Sequence, residues 1–132
     1  MIFQREGCSI INSPSKKMIE QQLKKMKSAG PSSFASLKAI DGSYLQIAGG
    51  PQLFAVEYRD KNGCHYRGYQ ETSSIPFPDG TELSFSAGTL TLNQNEWFQA
   101  PQVAELLSSF VAKPEKPELC GWSELDESYK YS

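Results

Sequence analysis

Hydrophobic and polar residues alternate along the middle of this 132-residue chain, from Phe34 to Tyr69. Four short runs of this kind are separated by three turn sequences: Asp41-Gly42, Gly49-Gly50-Pro51 and Asn62-Gly63. Glycine and asparagine tolerate the positive φ that tight hairpin turns require, so this spacing is typical of antiparallel strands joined in order. The region therefore predicts an antiparallel meander.

Hydrophobic residues recur at helical spacing nearer the two ends of the chain. The first pattern predicts a helix over 14–29, with Ser13 as its N-cap and Pro14 as its first residue. The second pattern predicts a helix over 100–112. Further strands are expected at Met1–Gly7 (an edge strand), Thr81–Ser86 and Thr89–Leu92.

The alternation also divides the predicted sheet into two faces. Phe54, Val56 and Tyr58 share one face, which we expect to be the core face. The opposite face would collect the polar side chains Glu57, Arg59, His65 and Arg67. Residues of the sheet and of the second helix that should be buried are Leu45, Ile47, Phe54, Val56, Leu106 and Phe110.

The order of helix, strands and helix predicts the α+β class, with both helices packed against an antiparallel sheet. We expect about five or six strands, which is the usual size of a sheet. A chain of this length forms one domain, which we assign to residues 1–113. Residues 114–132 would be an acidic, aromatic tail. Trp122 favours docking of this tail, because a free indole leaves a large apolar surface in water.

The charge of the chain is unevenly distributed. Residues 1–66 carry a net charge of +4 and residues 67–132 carry −6, which leaves −2 overall. An acidic segment repels phosphate backbones, but it can bind a basic protein. The lysines of the first predicted helix lack the interleaved aromatic residues that stack on bases, so no nucleic-acid partner is expected.

The apolar runs and the N-terminal sequence indicate the cellular compartment in which we expect the protein. No run approaches the roughly 18 apolar residues that span a bilayer. The first ten residues, MIFQREGCSI, lack the basic region and apolar segment of a secretory signal. We therefore expect a cytoplasmic protein that has no membrane partner and is a monomer or a weak dimer.

Few residues are suited to catalysis or metal binding. His65 is the single histidine, and neighbouring Cys64 would point to the opposite face of a strand. The other cysteines, Cys8 and Cys120, are far away in sequence, and no CxxC pair exists. Phosphate-cradling, hydrolase and metalloprotease motifs are missing. The sequence therefore predicts a binding protein with no catalytic residue, no metal and no cofactor.

One stretch resembles a known family. The matching residues, within about 34–110, are Tyr44-Leu45-Gln46, Gly49-Gly50, Val56-Glu57-Tyr58-Arg59, Trp97 and the predicted helix at Val103–Phe110. This outline resembles the first-numbered class of bacterial polymorphic-toxin immunity proteins. The resemblance implies an α+β cytoplasmic antitoxin that binds the catalytic domain of a cognate toxin, often a nuclease or deaminase. It assigns no contact residue, because interfaces in such families differ from one toxin to another.

A toxin that acts on nucleic acid presents a basic cleft, which carboxylates and aromatic anchors could fill. Two combinations of this kind occur, with Glu57 as a third candidate. The first is Glu96 with Trp97, and the second is Trp122 with Glu118, Glu124, Asp126 and Glu127. The alternative is that Trp97 covers the core and that the tail is only solvated.

Other functions remain open from the sequence. A secretion chaperone or adaptor would also be small and acidic. A small enzyme would depend on His65 together with Glu57 or Cys64.

Overall fold

The computed structural model describes residues 1–72 and 75–125. Within these ranges the chain forms ten strands, two α-helices and one turn of 3₁₀ helix at Gln94–Glu96. The strands are β1 (Ile2–Arg5), β2 (Ile11–Asn12), β3 (Phe34–Lys38), β4 (Tyr44–Gly49), β5 (Leu53–Arg59), β6 (His65–Tyr69), β7 (Thr81–Phe85), β8 (Gly88–Leu92), β9 (Phe98–Gln99) and β10 (Gly121–Glu124). The helices are α1 (Lys16–Lys24) and α2 (Ala100–Ala112).

Antiparallel pairing joins most strands into one sheet, in the order β10-β6-β5-β4-β3-β1-β2. Strand β9 adds to the start of β5, and β7 with β8 forms a separate hairpin. The α+β class is confirmed, whereas the expected count of five or six strands was too low. The strands that the sequence pattern missed are β2, β9 and β10, which have two, two and four residues and are too short to show alternation.

The main core lies between the sheet and the two helices. Leu45, Ile47, Phe54 and Val56 point from the sheet into this core, as predicted, and each is at most 1% exposed. Leu106 and Phe110 from α2 are also buried there, together with Ile19 and Leu23 from α1. The apolar stripes of both helices therefore cover the face that the alternation had assigned to the core.

The opposite face of the sheet is also covered. Leu83, Phe85, Leu90 and Leu92 from the β7–β8 hairpin pack over it, together with Trp97, and form a second buried cluster. The sequence had indicated an open polar face here. The difference arises because β7 and β8 have an apolar side of their own, which must be buried against another layer.

Helix α1 is shorter than the predicted span 14–29. It begins after Ser15, whose hydroxyl accepts a hydrogen bond from the Met18 backbone N–H. Ser13, the predicted cap, has a φ of 46° and lies in the preceding turn. The predicted span of the second helix, 100–112, is confirmed. The expected edge strand at the N-terminus is instead flanked on both sides, by β2 and β3.

The Gly49-Gly50 break lies close to the segment that follows α1. The Ser28 N–H donates to the Gly50 carbonyl at 3.2 Å. Gly50 has a φ of 102°, and a Cβ there would lie 2.7 Å from the Met26 carbonyl oxygen. This position therefore requires glycine both for its conformation and for the close approach of two backbone segments.

Among the described residues, no helix is long and apolar enough to cross a bilayer.

Candidate interaction surface

Glu57 and Glu96 lie in a buried ion-pair network centred on Arg67. The Arg67 guanidinium donates to Glu57 Oε2 from Nη2 at 3.0 Å and from Nε at 3.3 Å. Its Nη1 donates to the Thr91 carbonyl of β8 at 3.2 Å and lies 3.9 Å from Glu96 Oε1. The network is almost sealed from solvent, since Glu57, Arg67 and Glu96 are 3%, 4% and 9% exposed.

The network fixes the second layer of the fold to the sheet. Glu57 and Arg67 are directly opposite each other on β5 and β6, which places their side chains on the same face. Glu96 also accepts a hydrogen bond from the Asn93 N–H at 2.7 Å, which closes the 3₁₀ turn. Glu57 and Glu96, both sequence candidates for toxin binding, are thus buried and do not contribute to an accessible surface.

Trp97, also a candidate contact residue, belongs to the second core. It is 4% exposed, and its ring meets that of Phe77 edge-to-face at 5.0 Å. No described residue accepts a hydrogen bond from its indole N–H. Trp97 therefore covers the core, which is the alternative that the sequence left open.

Trp122 is the residue that holds the C-terminal segment on the sheet. Its ring lies 6.0 Å from that of Tyr58, and its indole N–H donates to the Pro117 carbonyl at 2.7 Å. The ring also covers Gly68, where a Cβ would come within 3.3 Å of it. Gly68 thus leaves the space that the indole fills, and the half-buried Trp122 joins β10 to the main core.

Exposed carboxylates surround this docked segment. Glu124 lies at the end of β10, and Glu118 precedes the strand. Glu118 and the exposed Glu71 line a groove of about 390 Å³ at the start of β10. Its lining residues are Gln70, Glu71, Thr72, Glu118, Leu119, Cys120 and Gly121. Asp126 and Glu127, the remaining sequence candidates, lie outside the described residues.

The groove combines charge with exposed apolar surface. Leu119 on its wall is 61% exposed. Nearby, Lys116 lies over the Tyr66 ring with Nζ 4.2 Å from the centroid, and Lys113 pairs with Glu115 at 3.0 Å. Glu71, Glu118 and Glu124 have no ion pair to a described residue. The edge of the sheet formed by β6 and β10 is therefore acidic.

His65 and Glu57, on which a small enzyme would depend, have different neighbours across the strands. His65 pairs across the strands with Arg59, while the carboxylate of Glu57 is bonded to Arg67. Burial raises the pKa of the Cys120 thiol to about 12, which leaves it protonated at neutral pH. Within residues 1–72 and 75–125, no three His, Cys, Asp or Glu side chains are grouped so that they could hold a metal ion.

An apolar cleft of about 460 Å³ lies elsewhere on the surface, at the β3–β4 turn. Ile40 on this turn is 99% exposed, and Met1, Val111 and Pro114 line the cleft beside it. Sequence reasoning missed this surface because Ile40 looked like the last residue of a strand. An isoleucine directly before an Asp-Gly turn was the available signal, since a turn leaves few neighbours to cover it.

A comparison with known proteins found no family model and no curated relative that matches this chain.

Proposed function

We propose that this chain is an immunity protein, an antitoxin that binds the catalytic domain of a cognate bacterial toxin and occludes its active site. In this proposal the protein acts in the cytoplasm and performs no catalysis of its own. The resemblance implies that the toxin would be a nuclease or a deaminase, and a toxin that acts on nucleic acid needs a basic cleft for phosphates, to which an acidic surface is complementary.

The observation that carries the proposal is the docked acidic segment. Trp122 anchors β10 against Tyr58 and Gly68, and this anchoring fixes Glu124 at one end of the edge strand and holds Glu118 near the other end. Carboxylates on a docked segment lose less conformational entropy on binding than carboxylates on a free tail. They also attract a basic partner over a distance, which accelerates association.

The resemblance in residues 34–110 supports the proposal independently of this surface. Its Tyr44-Leu45-Gln46 and Val56-Glu57-Tyr58-Arg59 sequences form the two central strands β4 and β5. The carboxylates that we propose as contacts lie outside or at the rim of this frame. That division fits an immunity protein, whose scaffold persists while its contact surface matches one toxin.

The apolar cleft beside Ile40 favours a second candidate function, that of an adaptor or secretion chaperone. A fully exposed isoleucine next to Met1 and Val111 would fit an apolar segment of a client protein. The two functions use different surfaces. An Ile40→Ser variant should therefore lose a chaperone client while it keeps toxin binding.

The test is to co-express this chain with the catalytic domain of a toxin encoded beside it and to measure growth. We expect the chain to restore growth and to bind the purified domain. Association should slow by about tenfold when Glu118→Lys and Glu124→Lys are combined, and it should weaken as salt is raised.

The control is a second pair of charge reversals, Glu20→Lys with Glu82→Lys, at exposed positions on α1 and β7. It changes the net charge equally but leaves the β6–β10 end intact. Equal slowing of association by both pairs would show that the net charge of the chain controls association, and not the carboxylates beside β10. Toxicity that persists in the presence of the folded chain would contradict the proposed function itself.

A further inference from the structure

The outer edge of β10 carries backbone groups that point away from the sheet. The Leu125 N–H donates to the His65 carbonyl at 2.7 Å, which fixes the alternation along the strand. Gly121 and Ser123, which have the same parity as Leu125, face β6 with their N–H and C=O groups. The backbone groups of Trp122 and Glu124 therefore point outward.

No described residue forms a hydrogen bond with these outward groups. Among the described strands, β10 is the last at its edge of the sheet, so its outer side is a template for another strand. An extended segment from another protein could add there and form backbone hydrogen bonds with Trp122 and Glu124.

We propose that this edge binds an extended, basic segment of the partner protein by strand addition. The inference deepens the proposed function and rests on it, because it names the surface and the kind of segment through which the toxin is held. Charge complementarity selects the occupant. Glu124 projects from the edge strand itself, and Glu71 and Glu118 line the groove at the other end of that strand.

The register specifies a sequence pattern for the added segment. A residue opposite Glu124 has its side chain next to the carboxylate, which suits lysine or arginine. The residue two positions further lies opposite Trp122 and suits an apolar side chain. The groove begins at Gly121, which is about 10 Å from Glu124 along the strand. A second basic residue in the added segment, two positions beyond its apolar residue, can therefore reach the groove.

A second copy of this chain fits the edge less well. Antiparallel pairing of two β10 strands would bring two acidic ends together, including both copies of Glu118 and Glu124. Like charges at such separations destabilise the pairing, whereas a basic strand is attracted.

The experiment uses the full chain and a synthetic peptide, acetyl-TKTVTKT-amide, as the probe. Binding at low salt is followed by NMR amide shifts and by hydrogen exchange. We expect the amides of Trp122 and Glu124 to become protected. Two control peptides are the glutamate version, acetyl-TETVTET-amide, and the lysine version N-methylated at the first lysine and the valine, which blocks the strand hydrogen bonds. Neither control should bind.

Two variants at one position separate backbone from charge. Glu124→Pro removes the outward N–H and the carboxylate but no hydrogen bond to β6, and a sheet tolerates proline at an edge position of this kind. Glu124→Gln keeps the N–H and removes only the charge. We expect peptide affinity to fall by at least about tenfold in the proline variant and by about threefold in the glutamine variant. Unchanged urea midpoints would show that both variants are folded.

The outcomes distinguish this inference from the proposed function. Protection confined to residues away from β10, or equal binding of the N-methylated peptide, would overturn strand addition. Neutralisation of a toxin that is unaffected by Glu124→Pro would overturn it as well, while the immunity function would stand. Self-association that Glu124→Pro abolishes, without peptide binding, would replace the basic segment by a second copy of this chain.

Discussion

Replacing Arg67 with methionine tests whether the buried carboxylates of this protein are structural. Methionine is an unbranched apolar side chain that adapts to irregular space but cannot donate hydrogen bonds, so the change removes the guanidinium bonded to Glu57 and keeps only the apolar part of the side chain. Arg67 donates two hydrogen bonds to Glu57 and one to the Thr91 carbonyl, and lies near Glu96. All four groups lie in the layer between the sheet and the β7–β8 hairpin.

The expected loss of stability in Arg67→Met follows from the burial of Glu57. Glu57 is 3% exposed, so Arg67→Met takes a bonded cation away from a carboxylate that is almost sealed from water. Breaking a buried ion pair from one side costs about 3–5 kcal/mol. That is a large part of the roughly 5–15 kcal/mol that stabilises a typical domain. The double variant Arg67→Met with Glu57→Met should recover part of the loss, because it removes the carboxylate that accepts two hydrogen bonds from Arg67, while Glu96 stays buried and keeps its hydrogen bond from the Asn93 N–H.

Urea unfolding followed by tryptophan fluorescence measures the effect. We expect the midpoint of the single variant to fall by about 2 M, at the slope of roughly 1–3 kcal/mol per M usual for small proteins. Arg59→Met is the matched control, since Arg59 is exposed on the same face and should change stability little. A loss below about 1 kcal/mol, or a double variant as unstable as the single one, would refute this account.

Three further predictions concern single residues. Phe54→Ala should lower the free energy of unfolding by about 3–5 kcal/mol, because Phe54 is fully buried, and a near-neutral urea midpoint would contradict that placement. Hydrogen bonds from Ser86 and Ser33 lower the pKa of Glu6 from its ordinary 4.5, so the stability they add is present above pH 4.5 and is lost as pH falls through the folded pKa. In the Glu6→Gln variant the melting temperature should fall less on acidification than in the parent protein. Equal falls in both proteins would contradict this role of Glu6. With serine in place of the other two cysteines, Cys120 should react with a disulfide reagent at about pH 8 far more slowly in the folded protein than in urea, because burial raises its pKa to about 12.

Local patterns were sufficient to predict the central part of the fold. Alternation placed Phe54, Val56 and Tyr58 on one face, and the three glycine-containing turns separated the strands of the meander. Both kinds of signal act between residues that are close in sequence. They follow from strand geometry and from the positive φ of tight turns, whatever packs around them.

The burial of Glu57 could not be predicted in the same way. Beside Ala55 and Leu53 it looks like part of a half-solvated strand face. Its burial depends on Arg67 across the sheet and on a hairpin that closes over both residues later in the chain. The one available signal was opposite charge at positions that the Asn62-Gly63 hairpin brings face to face.

The docking of β10 could not be predicted from local sequence patterns either. Four residues, Gly-Trp-Ser-Glu, carry no alternation, and their place on β6 depends on space left elsewhere. A Cβ at Gly121 would lie 2.2 Å from an atom of the Tyr69 ring, and Gly68 leaves room for the Trp122 ring. Only the expectation that a tryptophan prefers burial pointed towards docking.

The two covered faces decide where a partner can bind. The helices take one face of the sheet and the β7–β8 hairpin takes the other, so the strands offer a partner little beyond their edges and ends. At the β10 edge, the same indole that joins the segment to the core also fixes the position of Glu124. Binding at this edge, as we propose it, would therefore be coupled to folding of the segment. A change at Gly68 that displaces Trp122 should weaken binding of the proposed partner, although Gly68 itself is not one of the proposed contacts.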